Sequence, residues 1–186
     1  MAGQKTANLV NGIDMDVLQG TVDAIQEDPE LGKCTFRATN KWISGSRNRT
    51  TLDGFWAAGE ERHHQQPYAL DCDEPTLLAG GDRAPNPVEH LLNALAGCIT
   101  TGMVAHAAVR GIHIEELESE LEGDIDLRGF LGLSDEVPRG YTDIRIRFKV
   151  KADVENMERL KKLTEFSPVL NTITQGARVN ITVEPK

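Results

Sequence analysis

An α+β fold, with antiparallel strands and helices segregated from one another, is what this sequence predicts. Three observations carry it. Residues 85–111 form one long apolar run with charge confined to its ends. Segments that alternate apolar and polar residues lie on both sides of that run. Shorter helical patterns follow the strands as a group instead of separating each strand from the next.

Taken in order, residues 1–12 are polar and read as loose. Val17, Leu18, Val22 and Ile25 recur at helical spacing and Pro29 stops the run, so a short amphipathic helix spans 14–28. Residues 33–43, 47–53 and 66–72 read as strands, with Ser44-Gly45-Ser46 as a turn and a polar insert containing His63 and His64. An acidic, glycine-rich loop covers 73–84. Asn86-Pro87 then opens the long helix, because proline has no N–H to leave unpaired in a first turn. Arg110 and Gly111 close it with a cation and a residue free to take positive φ. Strands follow over 112–127 and 141–150, then a helix from Asp153 to about Glu165 and a second beginning Ser167-Pro168. Residues 178–183 alternate again and are expected as a closing strand. The organisation expected is an extension over 1–30 and one domain over 31–186.

Acidic residues outnumber basic ones, 29 to 20, for a net charge of −9. That charge argues against nucleic acid and anionic membrane as partners. The chain shows no secretory leader pattern, so a cytoplasmic protein is expected. The apolar run has the length of a membrane span, but Asn93, Thr100, Thr101, His106 and its many small residues suit packing within protein. Its small-residue faces would let a second long helix approach, which suggests a symmetric dimer. The three cysteines, Cys34, Cys72 and Cys98, lack metal-like spacing, so no metal and no cofactor are expected.

Cys98 sits in the middle of the long helix. It reads either as a reactive thiolate or as a small hydrophobe in a core. The helix dipole acts only over the first turn, so a low thiol pKa needs a cation from elsewhere. At roughly 100° per residue, Leu91, Ala94, Leu95, Thr101, Gly102 and Ala105 share its side, and Leu95 is a candidate substrate contact. His90 and His106 lie obliquely, and His106 reads better as a packed histidine than as a base.

PNPVEHLLNALAGC and SPVLNT together resemble the OsmC/Ohr superfamily, over about residue 65 to the end of the chain. The resemblance implies an intertwined α+β homodimer, its antiparallel sheets wrapped around a long buried central helix. It further implies a thiol peroxidase that reduces organic hydroperoxides, in which a helix cysteine attacks the peroxide and a second cysteine resolves the sulfenic acid. A Glu–Arg pair beside the first cysteine orients the substrate in such proteins. By this resemblance Cys98 is the candidate nucleophile and Ser167 stands at the resolving-cysteine position. The sequence departs from the pattern elsewhere. Val88 stands where the family has glutamate after Asn-Pro, and no arginine lies over residues 70–73. Arg83, Arg49 and Arg47 are the arginines available to substitute, and Cys72 is the internal alternative as resolver. Three readings stay open: a one-cysteine thiol peroxidase served by an external thiol reductant, a non-catalytic protein that binds a small hydrophobic ligand, or a hydrolase using Cys98 with a histidine.

Overall fold

The computed structural model describes residues 8–186, so most of the expected loose N-terminus, residues 1–7, lies outside the described residues. Leu9–Val10 (β1) and Ile13–Asp14 (β2) flank an Asn11-Gly12 turn with both φ angles positive. Asp14 caps the helix Met15–Glu27 (α1) by accepting from the N–H groups of Asp16 and Val17. The chain divides into two compact units, residues 13–91 and residues 92–186, the second also taking in Val10–Gly12.

The first unit is built on a four-stranded antiparallel sheet: Thr35–Phe36 (β3), Thr39–Ser44 (β4), Arg47–Ala57 (β5) and Glu60–Cys72 (β6). β5 is central and pairs with the other three. The expected polar insert is instead the outer half of the β5–β6 hairpin. Ala58 and Gly59 both take positive φ and turn the chain tightly. Alanine rarely adopts that conformation, so the turn carries a weak sequence signal. The expected strand over 33–43 is two strands, broken at residues 37–38.

Asp73 follows β6 and is 1% exposed. Its carboxylate accepts from Ser46 Oγ at 2.6 Å, from the N–H of Glu74 at 2.9 Å and from the N–H of Arg83 at 3.2 Å. It thus ties the β4–β5 turn to the loop over 73–84. The Ser46 hydroxyl and these main-chain donors favour the ionised form and hold the carboxyl at about 2. The folded value lies below the unfolded one, so the stabilisation is present above about pH 3.9 and is lost as pH falls through that value toward 2. Asp73→Ala is expected to lower Tm by roughly 5 °C at pH 7. In a calorimetric pH series, the gap from wild type should close below about pH 4.

Pro87–Val109 (α2) passes from the first unit into the second. Its start is a reciprocal capping box: Asn86 N–H donates to Glu89 Oε2 at 2.8 Å, and Glu89 N–H donates to Asn86 Oδ1 at 2.9 Å. In the second unit, Leu95, Ile99, Met103 and Ala107 recur every fourth residue and form a buried stripe. The helix is apolar nearly all round but buried along that stripe only; Ala94, Gly97, Thr101 and Val109 are exposed. Ile112 and, from one later helix, Leu160 and Leu163 complete the core. Asn11 clips the loop after α2, donating to Ile112 O at 2.9 Å and accepting from Ile114 N–H at 3.0 Å.

Glu116–Asp124 (β7) precedes the short helix Leu127–Phe130 (α3) and pairs antiparallel with Asp143–Lys151 (β8). Leu117, Leu121, Ile144, Ile146, Phe148 and Val150 turn toward the core, one residue in two. The opposite face carries cross-strand ion pairs, Arg145–Glu122 directly opposite and Lys149–Glu120 and Arg145–Asp124 on the diagonal. Met157–Leu163 (α4) and Pro168–Gln175 (α5) cover the core. The expected cap at Asp153 makes no side-chain cap bond; a 3-10 turn over Val154–Asn156 leads into α4 instead. Residues 178–183 are not a strand: among the described residues no strand pairs with them, and Val179, Ile181 and Val183 are 76%, 82% and 90% exposed. The alternation is real, but a strand also needs an edge to pair with.

Candidate functional site

Cys98 is a free thiol, half-buried, near the middle of α2. It lies on the flank of the helix, between the sealed stripe of Leu95 and Ile99 and the open side of Ala94, Gly97 and Thr101. Leu95 itself is 1% exposed and packs within the core cluster. That burial makes it a packing residue first, whatever it contributes to a cleft.

Ser167 is fully buried. Its Oγ accepts from Leu170 N–H at 3.2 Å, capping α5, and Pro168 fills the first helical position. Asn171 Nδ2 donates to the Ser167 carbonyl at 2.9 Å. Val169, Leu170 and Ile173 of α5 pack against the cluster that holds Leu95 and Ile99. The second unit therefore brings the Cys98 helix and the Ser167 helix onto one core.

The other candidates belong to the first unit. Arg49 is bidentate on Asp71, Nε to Oδ1 at 2.5 Å and Nη2 to Oδ2 at 2.8 Å. Asp71 is correspondingly held below the usual carboxylate range by that guanidinium. Arg83 gives its main-chain N–H to Asp73, and its side chain lies along the Gly81 backbone. Arg47 begins β5 opposite Ser44. Cys72 ends β6 opposite Asn48. Burial first, then the charges of Asp71 and Glu74, push its thiol pKa up, which disfavours the thiolate that disulfide exchange requires. Glu89 is occupied by the capping box, and His90 Nε2 donates to the Asp71 carbonyl at 3.0 Å.

The Asp73 network escaped the sequence reading. An aspartate in an acidic loop looks solvated, and only the fold brings Ser46 to it across 27 positions. The first unit also holds a polar cavity of about 550 Å³, lined by Arg37, Thr39, Thr51, Asp53, Glu61 and His63. Arg37 and Glu61 pair there at 2.7 Å, and His63 Nδ1 lies 3.4 Å from Asp53. Among the described residues, no cluster of three or more histidine, cysteine or carboxylate side chains could hold a metal ion.

The family model for OsmC-like protein matches residues 80–182, more than half of the chain, from the loop before α2 to the segment after α5. This chain belongs to the OsmC-like family. Solved structures share its fold. A proposed osmotic-stress-induced and detoxification response protein from Psychrobacter arcticus 273-4 is 18% identical, with 75% of this chain and 88% of that one covered at a TM-score of 0.56. An OsmC-like protein from Mycoplasma pneumoniae is 17% identical, with 81% and 96% covered at a TM-score of 0.56. An OsmC-like protein of unknown function from Vibrio cholerae O1 is 14% identical, with 74% and 92% covered at a TM-score of 0.54. No curated protein matches the chain. At these identities the structural likeness speaks for the fold alone. For this OsmC-like protein, α2 meets the length and hydropathy of a membrane span, yet its inward stripe packs in a protein core.

Proposed function

We propose that this OsmC-like protein is a cytoplasmic, thiol-dependent redox protein that reduces organic hydroperoxides through Cys98. The observation that carries the reading is a free, half-buried thiol mid-way along the long helix; the resemblance to OsmC/Ohr proteins is what makes that position the reactive one. In the reaction, the Cys98 thiolate attacks the outer peroxide oxygen, the O–O bond breaks, and the alkoxide leaves and takes a proton. The sulfur becomes a sulfenic acid. A first molecule of external thiol condenses with it, releasing water, and a second reduces the mixed disulfide and restores Cys98. An external thiol is required because Ser167 is spent as a helix cap and the Cys72 thiol pKa is raised.

The proposal includes a homodimer, with residues 31–186 as one OsmC-like domain and 1–30 as its extension. In the first unit, Phe36 and Trp42 are exposed, although Phe36 stacks on Phe55 at the end of a run of ring contacts that continues through His64 to Tyr68. Such faces belong under a partner.

Stopped-flow measurement with tert-butyl and fatty-acid hydroperoxides, excess dithiol present, tests the activity. Cys98→Ala is expected to lose at least about 100-fold in peroxide consumption, and Cys72→Ala to change little. Equal, slow consumption by wild type and Cys98→Ala would overturn the reading. A second reading, a non-catalytic protein that binds a small hydrophobic ligand, is favoured by Glu89 and Arg49 both being engaged elsewhere. Titration of the thiolate absorbance separates the two: a large thiolate fraction at neutral pH, lost in Cys98→Ala, counts against ligand binding alone.

A further inference from the structure

The end of α2 and the residue just after it carry two groups that the reaction at Cys98 does not use. His106 lies stacked on Phe166, ring centroids 4.1 Å apart and planes at 29°. Arg110, one turn further on, places Nη1 3.2 Å from His106 Nδ1 and 3.0 Å from the His106 carbonyl oxygen. Its guanidinium also lies 5.5 Å from the centre of the Phe166 ring. Arginine can only donate, so Nδ1 accepts, and the imidazole is neutral with its proton on Nε2. Phe166 ends the 3-10 turn Thr164–Phe166, and the next residue is the buried cap Ser167. The three side chains thus join the end of α2 to the start of α5.

We propose that His106, Arg110 and Phe166 form a pH-sensitive latch, closed at neutral pH and opened in mild acid, that holds the entrance to α5. Protonation removes the acceptor on Nδ1 and sets an imidazolium against a guanidinium at contact distance. Arg110 must then leave, and Phe166 loses the cation over its ring. The charge acting on the imidazole is that of Arg110. From the other side the packing group is Phe166, whose neighbour Glu165 is exposed and accepts at its main-chain carbonyl from Asn171. Burial first, and Arg110 second, push the imidazole below its ordinary range. The folded value is the depressed one, so the latch's contribution is whole above about pH 6.5 and is lost below it, as pH falls through the depressed folded value.

The test is independent of whether Cys98 reacts. Nuclear magnetic resonance would follow the His106 ring and the exchange protection of the Leu170 and Asn171 amides from pH 8 to pH 5, corrected for intrinsic exchange. His106 is expected to titrate below about pH 6.5, and protection at α5 to fall about fivefold with the same midpoint. Arg110→Gln should raise the midpoint. His106→Phe keeps a ring on Phe166 but has nothing to titrate, so its α5 protection should be flat with pH. A wild-type midpoint at or above 6.5, protection indifferent to pH, or the same loss in His106→Phe overturns the latch. Should either variant fail to fold, the wild-type titration and protection decide alone.

Discussion

Leu95→Ala is expected to lose about 2–5 kcal/mol of stability, a fall in Tm of roughly 4–20 °C. Leu95 is sealed at 1% exposure within a cluster made by Ile99 and Met103 of its own helix, Ile112, and Leu160 and Leu163 of α4. Truncation would empty that site among side chains drawn from separate elements, which cannot all move inward. The loss therefore includes both the transfer term and the cavity term. Leu95 also shares the Cys98 side of α2, so the same variant separates two roles. If packing dominates, calorimetry shows the drop in Tm and the surviving folded protein keeps its KM for hydroperoxide. If Leu95 acts chiefly on substrate, Tm holds and KM rises. Thr101→Ala, on the open side of the same helix, is the control and should shift Tm little.

Ile181→Lys is expected to weaken self-association by about 100-fold or more. Val179, Ile181 and Val183 project from a segment that has the alternation of a strand but, among the described residues, no strand beside it. The β7–β8 ribbon, meanwhile, has an apolar face and is two-stranded among the described residues. A two-stranded ribbon is marginal by itself and gains from a third strand. With one isoleucine buried per copy, worth about 1.5–3 kcal/mol each, a symmetric pair would lose about 3–6 kcal/mol. That is a factor of roughly 10² to 10⁴ in Kd. Light scattering over a dilution series measures it. Wild type should hold at twice 20.4 kDa where Ile181→Lys falls to one chain. A wild-type chain that stays single at all concentrations, or an Ile181→Lys variant as dimeric as wild type, would sink the homodimer as drawn from this segment.

Several elements were legible because their causes are local. α1 runs where the periodic apolar residues and the Asp14 cap put it. α2 begins at Pro87 and α5 at Pro168, each behind a side chain that caps it. β8 follows its alternation to within a residue or two. The misses have causes too. The Ala58-Gly59 turn uses an alanine in a glycine's conformation, which hid the continuity of β5 and β6. Ile112 and Ile114 looked like the start of a strand. Ile112 instead closes the core beneath α2, and the Asn11 side chain occupies the backbone groups that a strand would have used.

By itself the sequence determined the α+β class, the long helix with Cys98 at its middle, and the family to which the pattern belongs. The class and the helix rest on periodicity, capping and spacing, which act between residues a few positions apart; the family rests on the resemblance carried by PNPVEHLLNALAGC and SPVLNT. Only the tertiary structure decided which stripe of α2 is sealed, that Arg49 is committed to Asp71, that Asp73 is a buried tie to Ser46, and that His106 is held by Arg110 and Phe166. The physical reason is the same in each case. A side chain's burial and charge environment come from residues 22, 27 or 60 positions away, and local pattern carries no information about those partners.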